Sequence, residues 1–419
     1  MNSVFKTSFA ALVAAGIVAS ATTATAQSLT GDLVIFSDMH DPAPRAVMED
    51  MAARFGEMHP DLNVEVTIID REAYKTQIRN FLTADAPDVA NWYAANRMLP
   101  YVEAGLFEDV SDIWDEQMSE ELASTKGALS VDDAQYGVPY TYYQWGVYYR
   151  KDIFEDLGLS EPTTWEEELA NCQALLDNGI KCYTIGTRFL WTTGGWFDYM
   201  NMRTNGYEFH ARLTNGEESW LSDEVRATFA NWRQLIDMGA FIDDHQNYDW
   251  QEALPFMVNG QAASYLMGNF AVAPMREAGM NDDMLDFYQF VEITPDLPRG
   301  EDAPTDTFHI PTGATNKEAA REFLKFVVSA ENQTLINNGD NLGQLPVNSA
   351  STVGEDKFLQ EGFDMLSNRA PGGIAQFFDR DAPAEMAVAG MEGFQEFMVF
   401  PDNLEDILQR LENTRLDSQ

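Results

Sequence analysis

The sequence predicts an α/β protein of two lobes, and three observations carry that prediction. Strand-like and helix-like segments alternate from residue 32 onward, the pattern of α/β units. The chain is 419 residues long, and the 393 that follow a 26-residue leader are too many for one ordinary core. No internal repeat and no low-complexity linker separates the halves, so the lobes are expected to be joined by several chain crossings and to be discontinuous in sequence.

The first elements are read directly from local pattern. Asp32 to Ser37 (DLVIFS) has the apolar density of a buried strand. Pro42 and Pro44 open a helix whose Val47, Met51 and Phe55 fall on one face, and Pro60 stops it. Asn63 to Ile69 alternates at Val64, Val66 and Ile68 as a strand does. A helix near Tyr74 to Leu82 and a strand near Val89 to Tyr93 continue the alternation, which predicts a parallel-type sheet in this lobe.

Helix starts are also legible further along. Thr164-Trp165-Glu166-Glu167 is a capping box opening a helix that runs to about Asn178. Ser222 caps another, with Val225, Phe229, Trp232 and Ile236 on one face and Gly239 at its end. Thr315 and Glu318 read as a second capping box, before Ala320, Phe323, Leu324 and Val327.

The N-terminus reads as an export address. Lys6 supplies the positive charge, Phe9 to Ala21 the small-apolar run, and Ala24-Thr25-Ala26 the small-x-small cleavage pattern before Gln27. The run is short for a bilayer span, no cysteine stands at the cleavage point to carry a lipid, and no later stretch resembles a span. A soluble periplasmic chain of residues 27–419 is therefore expected. The net charge is −42, and −43 without Lys6, which repels nucleic acid and anionic lipid. Cys172 and Cys182 are the only cysteines. One falls near a helix end and the other opens the next strand, so a disulfide fits an oxidising compartment; two separate buried thiols are the alternative. His40, His59, His210, His245 and His309 are dispersed, and no metal constellation is expected from them.

Several stretches resemble the extracellular solute-binding proteins that include the maltose-binding type. They are Tyr136-Gly137-Val138-Pro139-Tyr140, Gly146 to Phe154 (GVYYRKDIF), Gly158-Leu159, and Pro162-Thr163-Thr164-Trp165. Further matches are Asn259 to Ala263 (NGQAA) with Met267-Gly268-Asn269-Phe270, and Asn316 to Ala320 (NKEAA) with Phe323 to Phe326 (FLKF). Gly343 to Val347 (GQLPV) completes the series. Each motif is weak alone, but their order and spacing cover essentially the whole chain after the leader. The resemblance implies a two-lobed periplasmic binding fold of the class II type. It places 27–138 plus 290–338 in the first lobe and 139–289 plus 339–419 in the second. It further implies a monomer without cofactor that captures a carbohydrate between its lobes. A membrane permease with a separate ATPase would be the partner, and this chain carries no phosphate-binding GxxxxGK[ST] loop of its own.

A sugar offers hydroxyls around its rim and apolar C–H faces, so its site combines flat rings with polar side chains. On the loops that match the family's cleft the candidates are Asp38 and His40, Asp85, Trp92 and Tyr93, and Tyr142, Gln144 and Trp145. Arg188, Trp191 and Trp196, Asn269 and Phe270, Asp306, and Arg380 complete the set. Asp85 is favoured for ligand and Asp88 left as a structural cap, and a local hydrogen-bonding role is the plainer reading of His40. The same fold could instead hold ferric iron through neighbouring tyrosines (Tyr142-Tyr143, Tyr148-Tyr149) or a polyamine through acids and aromatics. An enzyme acting on carbohydrate is the alternative of another class, but no GxSxG, HExxH or Cys-His signature is present.

Overall fold

The computed structural model describes residues 28–338, 341–368 and 373–418. The export segment therefore lies outside the described residues.

The first lobe is built on a five-stranded sheet in the order Leu62–Ile68, Gly31–Ser37, Val89–Tyr93, Thr305–His309, Val138–Tyr142. The first three strands are parallel, as the alternation predicts. Thr305–His309 runs antiparallel to both its neighbours, so the sheet is mixed. The reason is topological. That strand arrives from the other lobe, and no crossover helix turns it to the parallel sense. Helix Pro42–Met58 packs through Val47, Met51 and Phe55, and helix Arg71–Ala84 through Tyr74, Ile78 and Leu82.

The second lobe holds a four-stranded sheet in the order Leu285–Tyr288, Trp145–Arg150, Ala262–Gly268, Lys181–Tyr183. Thr164 and Glu167 form the expected capping box on helix Trp165–Asp177, and Ser222 caps Asp223–Asp237. The cap of Lys317–Val328 is Asn316 rather than Thr315. The hydroxyl and backbone N–H of Thr315 instead donate to Asp88, which also accepts the N–H groups of Val34 and Asn316. Asp88 thus ties the strand Gly31–Ser37 to a helix start more than 200 residues away. Cys172 and Cys182 are disulfide-bonded, with Cα atoms 5.2 Å apart, and staple that helix to the strand Lys181–Tyr183.

Two apolar cores divide the chain differently from the expected boundaries. Tyr140 belongs to the first core and Tyr143 to the second, while Tyr142 packs against both. Phe290, Val291 and Ala303 lie in the second core, so the return crossing falls at 303–305 and not at 290. Strand Gly300–Asp302 pairs with Gly373–Ala375, and the buried Arg203 holds Glu301. Those long-range contacts, and no local periodicity, assign the segment to the second lobe. Leu342 and Val347 pack in the first core and Phe358 in the second, which moves the last crossing beyond 339. At the hinge Tyr142 and Leu345 exchange backbone hydrogen bonds of 3.3 and 3.0 Å.

Candidate ligand cleft

The strand ends of the first sheet open onto a cleft between the lobes, with an empty volume of about 1190 Å³ including its mouth. On the first-lobe side stand Asp38, Arg71, Tyr93, Tyr140 and Asp306. Asp38 follows the strand Gly31–Ser37 and is fixed by its neighbour Val89–Tyr93. Its N–H donates to Asn91 Oδ1 at 2.8 Å, and its carboxylate accepts from Asn91 Nδ2 at 2.6 Å and from Tyr93 Oη at 2.8 Å. Arg71 is the first residue of its helix, which Asp70 caps. Its guanidinium sits 3.7 Å from Asp38 and 3.6 Å from Asp41. Burial works against that charge, but Asp38, Tyr93 and Asp41 outweigh it, so the Arg71 pKa stands above its ordinary value.

The second lobe presents rings. Trp191, at the start of helix Trp191–Asn205, and Phe270, in the turn after Ala262–Gly268, are half-buried and face the cleft beside Trp250, Trp145, Tyr143 and Phe377. Trp145 is only 1% exposed. Phe377 lies against it at 4.8 Å, and helix Trp191–Asn205 approaches so closely that a Cβ on Gly195 would stand 2.7 Å from the Trp145 ring. Trp145 is therefore the backing of the ring wall, and Trp191 and Phe270 carry its accessible faces. Phe377 is placed by a backbone with φ of 89°, a region that L residues rarely occupy. That conformation is held from both sides, because Phe378 N–H donates to the buried Asp198 at 2.7 Å and Gln376 N–H to Asp381 at 2.8 Å.

Arg380 joins the two walls. It donates to Asp306 Oδ1 at 2.9 Å, to the Thr305 carbonyl at 2.8 Å and to Tyr143 Oη at 3.1 Å, and lies 4.5 Å over the Tyr93 ring. Burial raises the Asp306 carboxyl above the ordinary carboxylate range, with Arg380 opposing. Burial likewise raises Tyr93, Tyr140 and Tyr143, so these phenols are neutral. Two further bonds cross the lobes, with Gln251 Nε2 donating to Asp41 at 2.7 Å and Asn96 Nδ2 to the Asp381 carbonyl at 2.6 Å.

Of the residues singled out from sequence, Asp38, Tyr93, Trp145, Trp191, Phe270, Asp306 and Arg380 line this cleft. The others are placed elsewhere. Trp92 is in the first core, its Nε1 donating to the Arg97 carbonyl, and Trp196 is fully buried in the second. Asp85 is the exposed C-cap of helix Arg71–Ala84. Arg188 is exposed and paired with Asp249 and Glu252. His40 makes local contacts with the Asp38 carbonyl, Asp41 and Asp70. Tyr142 and Asn269 are hinge residues, the latter accepting from Tyr148 Oη and donating to the Gly343 carbonyl. Gln144 turns away to donate to the Phe358 carbonyl under helix Lys357–Asn368. Its neighbours Tyr143 and Trp145 face the cleft, so the ring-bearing phase of this segment is shifted by one residue from Tyr142 and Gln144.

Arg71, Trp250, Gln344 and Phe377 also line the cleft without having been singled out from sequence, and Tyr143 is singled out there only as a partner of Tyr142 for iron. Once Trp145 is chosen, period-2 alternation selects Tyr143, and Gln344 stands inside the crossing motif GQLPV. Trp250 and Phe377 carry no local signal. Among the described residues no group of three or more His, Cys, Asp or Glu side chains is arranged to hold a metal ion, and no helix is long and apolar enough to cross a membrane.

Residues 41–334 match the family model of the bacterial extracellular solute-binding proteins. The chain belongs to that family. It has the two-lobed fold of solved sugar-binding proteins. This solute-binding protein is 24% identical over 296 residues to an ABC transporter extracellular-binding protein of Pyrococcus horikoshii; the match spans 68% of this chain and 65% of that one. Among solved structures, it is similar to the bacterial solute receptor AcbH, described as having an exclusive substrate preference for β-D-galactopyranose (TM-score 0.83, 24% identity, 93% of this chain and 98% of that one). It is similar also to a chitin oligosaccharide binding protein (TM-score 0.83, 18% identity, 93% and 98%).

Proposed function

We propose that this solute-binding protein captures a carbohydrate in the interlobe cleft and delivers it to the permease of an ABC importer, without chemistry of its own. The observation that carries the reading is the pairing of two unlike walls. Half-buried faces of Trp191 and Phe270 suit the C–H face of a sugar, and Asp38, Arg71 and Asp306 opposite them suit its hydroxyls. The structural neighbours bind a galactopyranose and chitin oligosaccharides, which supports the same ligand chemistry here. Residues 1–26 would direct export and be removed, leaving a periplasmic monomer.

The cleft disfavours ferric iron. Tyr148 and Tyr149 are buried within the strand Trp145–Arg150, and of the Tyr142-Tyr143 pair only Tyr143 lines the cleft, where its Oη already accepts from Arg380 at 3.1 Å. The test is a thermal-shift screen against sugars, glycosides, polyols, spermidine and ferric citrate. A specific upward shift with a carbohydrate is expected. A shift only with spermidine or ferric citrate would contradict the reading.

A further inference from the structure

Resting on the carbohydrate reading, we infer that the ligand is a single uncharged monosaccharide, and that acidic sugars and extended oligosaccharides are rejected.

The cations that line the cleft are all engaged. There are three, Arg71, Lys75 and Arg380, against five carboxylates. Each cation is already matched. Arg380 donates to Asp306 at 2.9 Å, Lys75 pairs with Glu72 at 2.7 Å, and Arg71 lies between Asp38 and Asp41 at 3.7 and 3.6 Å. A uronate entering this site would have to share a guanidinium with a protein carboxylate that is itself removed from water, which leaves an uncompensated negative charge in the cleft. The field of a chain with net charge −42 acts in the same direction. Four of the carboxylates are committed as well. Asp38 accepts from Asn91 and Tyr93, Asp41 from Gln251, and Asp306 from Arg380, while Asp379 pairs with Arg97 at 4.0 Å. With Glu277 as the fifth carboxylate the lining keeps a net negative charge, which opposes an anion, while the matched groups offer hydrogen-bonding capacity to hydroxyls.

The rings and the interlobe bridges limit the length of a ligand. Successive sugars of a chain need stacking faces laid out in series. Here the rings cross one another instead. The two accessible rings, Trp191 and Phe270, are tilted by 58° with centroids 6.2 Å apart, and Trp250 and Tyr143 meet Phe270 at 82° and 88°, so they enclose a corner. Two separate bridges then span the lobes around it. Gln251 joins Asp41 on the loop after Gly31–Ser37, while Asp379 and Asp381 meet Arg97 and Asn96 on the loop after Val89–Tyr93. An oligosaccharide extending between the lobes on either side would break one of these contacts.

Titration calorimetry of the purified protein tests both parts. The probes are neutral monosaccharides, the tetrasaccharide of the tightest one and its uronic acid. One monosaccharide is expected to bind, with its tetrasaccharide about 10-fold weaker or worse and its uronate about 100-fold weaker or worse. Asp306→Asn, which frees the Arg380 charge, should narrow the gap between neutral sugar and uronate by about 10-fold, and Asp38→Asn should do the same through Arg71 if the first variant fails to fold. A tetrasaccharide that binds more tightly than its monomer, or a uronate that matches the neutral sugar, overturns this inference and leaves the carbohydrate reading intact. Binding of spermidine or ferric citrate with no sugar bound overturns both.

Discussion

Arg380, from the second lobe, donates to Asp306 of the first lobe at 2.9 Å, and both side chains are largely shielded from water. The pair spans the seam between the lobes and lines the cleft, so it serves stability and site geometry together. Removing one member of such a pair strands the other charge. Asp306→Ala is expected to destabilise the fold by about 3 kcal/mol, and Asp306→Asn, which keeps a hydrogen-bond acceptor, by less. Urea denaturation of the two variants beside wild type measures both values.

Trp191 and Trp145 are expected to separate binding from packing. Trp191→Ala removes a half-buried face and should weaken ligand binding about 10-fold or more with little change in melting temperature. Trp145→Ala empties a space enclosed by Phe377 and the helix at Gly195 and should cost about 3–5 kcal/mol of stability. Binding and melting curves on both variants check this, and a melting temperature unchanged in Trp145→Ala would sink the assignment.

Gly195→Ala should behave as an overpacking change. Its new methyl would stand 2.7 Å from the Trp145 ring and 3.0 Å from Phe377, so the ring wall must shift. A loss of about 1–3 kcal/mol is expected, with weaker ligand binding in the protein that remains folded.

The Cys172–Cys182 disulfide closes a short loop, with a separation of 10 residues. Reduction should raise the intact mass by two hydrogens and lower stability by roughly 3 kcal/mol. Unchanged mass after reduction would refute the bridge.

Asp381 gives a pH signature. Burial raises its carboxyl pKa to about 7, against the opposing Gln376 N–H bond. The folded state therefore holds a proton that the unfolded chain releases near pH 4. The stability contributed by this group is fully present below that value and is lost as pH rises through about 7. Asp381→Asn cannot titrate. The difference in urea midpoint between wild type and variant should thus shift against wild type between pH 4.5 and 7.5, and a pH-independent difference would contradict the shift.

The first lobe was legible because its elements are local. DLVIFS, the Pro42 helix and the strand at Val89 announce themselves through apolar period and proline placement, and all form where expected. What sequence could not supply was long-range. The side taken by residues 290–303 depends on Arg203 reaching Glu301. The cap at 315–316 depends on Asp88 competing for Thr315. In the cleft, residues at strand ends such as Asp38 and Tyr93 were accessible to pattern, whereas Trp250 and Phe377 enter from turns without regular period. Trp92 and Trp196 were aromatic residues of the right kind in the wrong layer, a distinction that only packing makes.

The measurement closest to the central claim is tryptophan fluorescence of wild type and Trp191→Ala during titration with neutral sugars. A saturable change is expected for one sugar in wild type, and binding about 10-fold weaker or lost in the variant. A sugar that binds both proteins equally would show that the ring wall of this cleft does not hold it, and would contradict the account.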